Sequence, residues 1–153
     1  MKQDSKLSGI LHVLLHMASF DAPVTSEKLA AMMGTNPVVI RRIMAGLRER
    51  GLVHSEKGHG GGWTIARDLE AVTMADIYAA VGAPEIFALG HRSEQPSCLV
   101  EQAVNGALDD AFAEAETLLM ARFAGVTLGA LAADFGQRLQ ARHQTLEEQD
   151  HDL

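Results

Sequence analysis

The stretch Gly58-His59-Gly60-Gly61-Gly62 constrains this chain more than any other part of it. Four glycines in five positions are incompatible with a helix and offer a strand almost nothing to pack. On either side stand short alternating runs, Leu52-Val53-His54-Ser55 and Trp63-Thr64-Ile65-Ala66, so the glycines form the tip of a β-hairpin. Lys57 and His59 put basic groups at that tip, and glycines such as Gly60 and Gly61 let backbone amides approach a partner closely.

Upstream of the hairpin the pattern is helical. Thr25 or Ser26 is suited to cap a helix that buries Leu29, Ala30, Met32 and Met33, and Gly34 ends it where a positive φ is wanted. Asn36 caps the next helix, with Pro37 in the first-turn position that tolerates a missing N–H. This helix, roughly Pro37 to Arg50, turns Val39 or Ile40, Ile43, Met44 and Leu47 inward, and Val38, Arg41, Arg42, Ala45 and Arg48 outward. Helix, tight turn, arginine-bearing helix and glycine-tipped hairpin is the order of a winged helix-turn-helix, a module that reads duplex DNA.

The start of such a second helix sits in the major groove, where short residues permit close approach and arginine grips guanine or phosphate. Asn36, Pro37, Val38, Arg41, Arg42 and Arg48 are the candidate DNA contacts on that helix. Thr25 and Ser26 are candidate donors to a backbone phosphate. Lys57, His59, Gly60 and Gly61 are the candidates from the wing.

A net charge of −7 argues at first against a polyanionic partner. Its distribution reverses that conclusion. Residues 1–67 carry nine Lys and Arg against five Asp and Glu, a net of +4, whereas residues 68–153 carry four against fifteen, a net of −11. A basic front half and an acidic rear half suit a protein that presents one face to nucleic acid. The single cysteine, Cys98, rules out an intramolecular disulfide and suits a reducing, cytoplasmic setting. The amino-terminal apolar run is broken by two histidines and lacks a small-residue cleavage site, so no signal peptide is expected, and no segment is long and apolar enough to span a bilayer. The chain is not expected to be an enzyme. It shows no nucleophile–base pair or paired carboxylates, and its glycine run is not followed by the Lys-Ser/Thr of a phosphate-binding loop.

The remaining elements flank this unit. Ser5 to Phe20 reads as a first helix with the stripe Leu7, Ile10, Leu11, Leu14, Leu15 and Ala18; His12 and His16 lie one turn apart, a metal-compatible spacing for which no third ligand is near. Thr73 caps a helix after the wing, with Asp76 three residues on. A polar loop over 83–97 leads to a long helix from Cys98 to about Phe123. Leu99, Ala103, Leu108, Phe112, Leu119 and Phe123 lie on its apolar side, and a stripe that long most simply packs on its twin in a homodimer. Thr127 to Arg142 reads as a last helix, and Gln144 to Leu153 as an acidic frayed tail. The expected division is a DNA-binding domain over 1–82, a loop over 83–97, dimerisation helices over 98–143 and a tail over 144–153.

The run from Arg41 to Arg67, R-R-I-M-A-G-L-R-E-R-G-L-V-H-S-E-K-G-H-G-G-G-W-T-I-A-R, resembles the signature of the Rrf-two family of bacterial transcriptional regulators. The family ends its third helix with L-x-x-x-G-L-V, matched by Leu47 to Val53. Its wing reads G-x-x-G-G-[YF]-x-L-A-R, matched by Gly58 to Arg67 with Trp63 for tyrosine and Ile65 for leucine. Thr73 to Gly82 resembles its post-wing helix, with Val81 in place of a glutamate. The resemblance spans roughly residues 5–125 and implies a mainly α fold with a β-hairpin wing and a long dimerisation helix. It further implies a homodimer on a near-palindromic operator in double-stranded DNA, most often as a repressor. Cluster-binding members hold a [2Fe–2S] centre with three cysteines, of which only Cys98 has a counterpart here; Ile86 and Arg92 stand near the other two places. The resemblance therefore points to a cysteine-poor branch with no cofactor and no metal. Cys98, at a helix start that favours its thiolate, is a candidate redox sensor, and a small-molecule signal is an alternative input. The competing reading from another class is a winged-helix module that binds protein rather than DNA.

Overall fold

The structure, a computed structural model, describes residues 4–151, with side chains through residue 145. Its elements are α1 (Lys6–Met17), α2 (Ser26–Met33), α3 (Pro37–Glu49), β1 (Val53–Glu56), β2 (Gly62–Ile65), α4 (Met74–Ala80), α5 (Leu99–Ala124) and α6 (Leu128–His151), with one short 3-10 turn at Leu69–Ala71. This is the mainly helical, winged arrangement expected from the sequence.

Local chemistry sets most boundaries. Thr25 Oγ1 accepts from the Lys28 amide at 3.2 Å and Asn36 Oδ1 from the Val39 amide at 3.1 Å, each satisfying an otherwise unpaired helix-start donor. Gly34 closes α2 at φ +63°. Thr73 and Asp76 form a reciprocal capping box at the start of α4.

One core gathers these elements. Ile10, Val13, Leu14 and Met17 of α1 meet Leu29 of α2, Ile40, Met44 and Leu47 of α3, Leu52, Val53 and Trp63 of the hairpin, and Ile77 of α4. Of the alternatives on α3, Ile40 is fully buried and Val39 is exposed. The stripe on α1 is rotated from the expected one: Val13 and Met17 join the core, whereas Ala18 faces solvent. The crossing of α3 and α4 is close, since a Cβ on Gly46 would stand 2.9 Å from the Ala80 carbonyl oxygen.

The hairpin pairs antiparallel, with Val53 opposite Ile65 and Ser55 opposite Trp63. A third extended piece completes it. Val24 exchanges both backbone hydrogen bonds with Trp63, at 3.0 and 2.9 Å, tying the approach to α2 onto β2. Gly62 (φ +149°) makes this possible, because a Cβ there would lie 2.6 Å from the Val24 carbonyl oxygen.

The carboxy-terminal helices depart from the expected layout. Helix α6 begins inside the winged unit: Leu128 is fully buried in the same core, and its amide donates to the Val72 carbonyl at 2.8 Å. The Met74 amide donates to Val126 at 2.8 Å, and Thr127 Oγ1 donates to Glu70 at 3.0 Å while accepting from the Ala130 amide. Helix α6 also continues to His151 rather than ending at Arg142. Gln, Arg, Ala and Glu are good helix formers that need no apolar stripe to stay helical. Of the expected frayed tail, residues 152–153 lie outside the described residues.

Candidate nucleic-acid interface

Helix α3 buries one face and leaves the other open. Val38 is 61% exposed at the first turn, and Arg41, Arg42 and Arg48 lie on the solvent side, Arg41 still 54% exposed at its side chain. Asn36 is exposed, but its Oδ1 is committed to the helix cap. Pro37, half-buried, fixes the first turn. Thr25 is exposed; its Oγ1 accepts a bond and its hydroxyl proton remains available to a phosphate.

Ser26 must be corrected. Its side chain is 8% exposed, and its Oγ accepts from Trp63 Nε1 at 3.0 Å in the buried interior. It seats the indole instead of facing a phosphate. The partner is 37 residues away, so no local signal marked it.

Across the turn, Arg41 Nη2 donates to Glu27 Oε1 of α2 at 2.6 Å. The sequence reading missed Glu27, which stands in the first turn of α2 where a carboxylate is ordinary. Between α2, α3 and the wing lies a cleft of about 320 Å³ whose lining includes Thr25, Glu27, Arg41 and Glu56, with Ser26 and Trp63 at its floor. At the wing tip Lys57, His59 and Gly60 are exposed. Gly61 is half-buried, and a Cβ on it would collide with the Glu56 carbonyl oxygen, so its first duty is to the turn.

Helix α5 divides the residues expected at a dimer interface. Phe112 stacks on Phe87 at 5.2 Å, and Phe123 meets Tyr78 edge-on at 6.0 Å, both within the chain. Leu108 and Leu119 lie on the same half-buried side, where loop 83–97 is also fastened by Asn105 Nδ2 to the Ser93 carbonyl at 2.9 Å and Gln102 Nε2 to the Pro96 carbonyl at 3.0 Å. Phe112 and Phe123 thus have partners within the chain, while both stay partly exposed. Leu99 and Ala103 are exposed, as are Ala107, Ala111 and Leu118 of the expected stripe, and Val100 and Val104, which periodicity did not mark, are exposed beside them.

Cys98 is exposed and precedes α5 directly. The amides of Glu101 and Val100 hold its thiol below the ordinary cysteine range. The donor set does not fit a three-cysteine cluster, because Cys98 is the one thiol in the chain. Among the described residues no three His, Cys, Asp or Glu side chains gather as a metal-holding group. His12 and His16 stand with ring centroids 4.7 Å apart, beside Leu15 and Phe135. No helix among the described residues is long and apolar enough to cross a membrane.

The profile of the Rrf2 family, described as iron-dependent transcriptional regulators, matches residues 3–134. YwnA of Bacillus subtilis, which bears the name of an HTH-type transcriptional regulator, is 30% identical over 109 residues, covering 71% of this chain and 80% of YwnA. The HTH-type transcriptional regulator IscR of Yersinia pestis is 31% identical over 75 residues, 49% of this chain and less than half (44%) of IscR. A crystal structure of a Lactobacillus plantarum chain described as a transcriptional regulator superposes with a TM-score of 0.71 at 26% identity, covering 92% of this chain and 98% of that one.

Proposed function

This chain belongs to the Rrf2 family of transcriptional regulators, and from that premise we propose that it is a sequence-specific DNA-binding repressor acting as a homodimer on a near-palindromic operator. Each α3 enters a major groove with Val38, Arg41 and Arg42 foremost. Each wing runs alongside, its Lys57 and His59 against the sugar–phosphate backbone or minor groove. Two copies pair through the exposed stripe of α5, which fits two-fold symmetry and half-sites separated by one or more helical turns. The observation that carries this reading is the exposed arginine face of α3 beside a basic wing tip, in a chain whose acidic residues are concentrated in its second half.

Binding to duplex DNA should fall steeply with salt, because each neutralised phosphate releases a counterion. Arg42→Ala should weaken binding to all sequences and flatten the slope of log K against log salt by about 1. Fluorescence anisotropy over a salt series measures both. Absence of salt-dependent binding to any duplex, bulk genomic DNA included, would leave protein recognition as the use of the fold.

No cluster enters this reading, since a single thiol per chain is too few donors for the family's centre. Cys98 is the candidate signal input, weighed against an inert remnant of the family's cluster loop. Its thiolate attacks hydrogen peroxide, breaking the O–O bond to give sulfenic acid and hydroxide, and the modified side chain sits where α5 leaves the loop. With the Glu101 and Val100 amides favouring the Cys98 thiolate, alkylation by iodoacetamide should reach half its maximal rate at a pH below that of a free cysteine. Hydrogen peroxide should change operator affinity, and Cys98→Ser should abolish that change; an unresponsive native protein would remove Cys98 from the mechanism.

A further inference from the structure

The contact between Glu27 and Arg41 is out of place for a surface built only to attract a polyanion. Glu27 is 63% exposed at its side chain on the side of α2 that adjoins the reading helix, and Glu56 lines the same cleft. A carboxylate there repels phosphate, so DNA affinity alone would be served better by its removal. Its position at the first turn of α2 gives it an ordinary role with the helix dipole, but that role does not require a partner on α3. The 2.6 Å bond across the two helices does.

Resting on the DNA-reading function proposed above, we propose that Glu27 is a specificity-determining positioning residue, which buttresses Arg41 so that its guanidinium reads a base instead of settling on a phosphate. An arginine has long, rotamer-rich geometry and five donors in a planar fork. Glu27 takes one Nη2 donor, and among the described residues no other side chain holds the remaining edge. A fork fixed from behind presents that edge in one orientation, which suits the two parallel acceptors, O6 and N7, of guanine in the major groove. An unbuttressed arginine at the same place is free to swing to the nearest phosphate, which carries no sequence information. The arrangement therefore exchanges some electrostatic attraction for discrimination. Arg42, one position along α3 and without a carboxylate partner among the described residues, keeps the role of a phosphate contact.

The test compares Glu27→Gln with the native full-length protein on two DNAs: an operator obtained by selection from random duplexes, and bulk genomic DNA, at one salt concentration. The buttress predicts that the variant binds bulk DNA as well as or better than the native protein. It also predicts that operator discrimination falls about tenfold, with the loss confined to one guanine position in each half-site. In an Arg41→Ala background, Glu27→Gln should no longer change discrimination. Equal gains on both DNAs would reduce Glu27 to a source of repulsion and overturn the proposal while leaving the DNA-binding function intact. Failure of the native protein to bind any duplex would overturn both. A purely structural role at the start of α2 would move the melting temperature and leave the ratio of the two affinities unchanged, which also counts against the buttress.

Discussion

Val104→Asp combined with Leu118→Asp is expected to turn a dimer into a monomer and to cost operator affinity two orders of magnitude or more. Both side chains lie open on one chain, at 52% and 74% exposure, so the substitutions remove no intrachain packing. In a homodimer they place carboxylates in an apolar seam, where unpaired charges are costly. Linking two reading heads makes the second binding step effectively intramolecular, an advantage on the order of 10²–10⁴ that vanishes when the link is cut. Sedimentation equilibrium reports the oligomeric state, and anisotropy on a full operator and on a half-site reports the affinity. Melting unchanged from the native monomer fold would separate this effect from unfolding. A native protein that sediments as a monomer at micromolar concentration would end the dimer proposal. Phe112→Ala gives the contrast: it strips a stacked partner from loop 83–97 and should lower stability without dissociating the dimer.

Trp63→Ala should be the most destabilising single change in the wing, by about 3–5 kcal/mol. The indole is 9% exposed, its backbone carries the Val24 connection, and its N–H is satisfied by Ser26. For a chain of this size such a loss lowers the melting temperature by roughly 10 °C or more. Ser26→Ala strands the buried indole N–H without a partner and should cost about 1–3 kcal/mol. The two changes are followed by thermal melts monitored by circular dichroism. Ser26→Ala is also expected to leave the salt slope of DNA binding unaltered, because the hydroxyl points into the core; a slope reduced by about 1 would return Ser26 to the phosphate contacts.

What was legible in the sequence was what neighbouring residues decide among themselves. Thr25, Asn36 with Pro37, Gly34, and Thr73 with Asp76 act over three or four positions, and all appear at the helix ends where their chemistry is useful. The wing was readable for the same reason, since glycines and alternation are local signals. What escaped depends on distant partners. Ser26 finds Trp63, Glu27 finds Arg41, and Val24 finds β2 only after the chain has folded back. Helix α5 carries apolar residues on two sides, and periodicity alone does not tell which side loop 83–97 will cover. The role of Leu128 was hidden likewise, because a leucine opening a late helix looks the same whether it caps a distant core or belongs to its own arm.

The anchoring of α6 in the winged unit has a mechanical consequence. The loop before α5 is fastened to the first turns of that helix, and the far end of α5 is tied to the winged unit through Val126, Thr127 and Leu128 and through Phe123 against Tyr78, so the rod is clamped at its carboxy-terminal end. In the proposed pair, two such rods lying together form a caliper of set jaw width. The gap between the heads would then follow from the stiffness of that junction in each copy, and operators of the wrong pitch would be disfavoured by geometry before any base is touched.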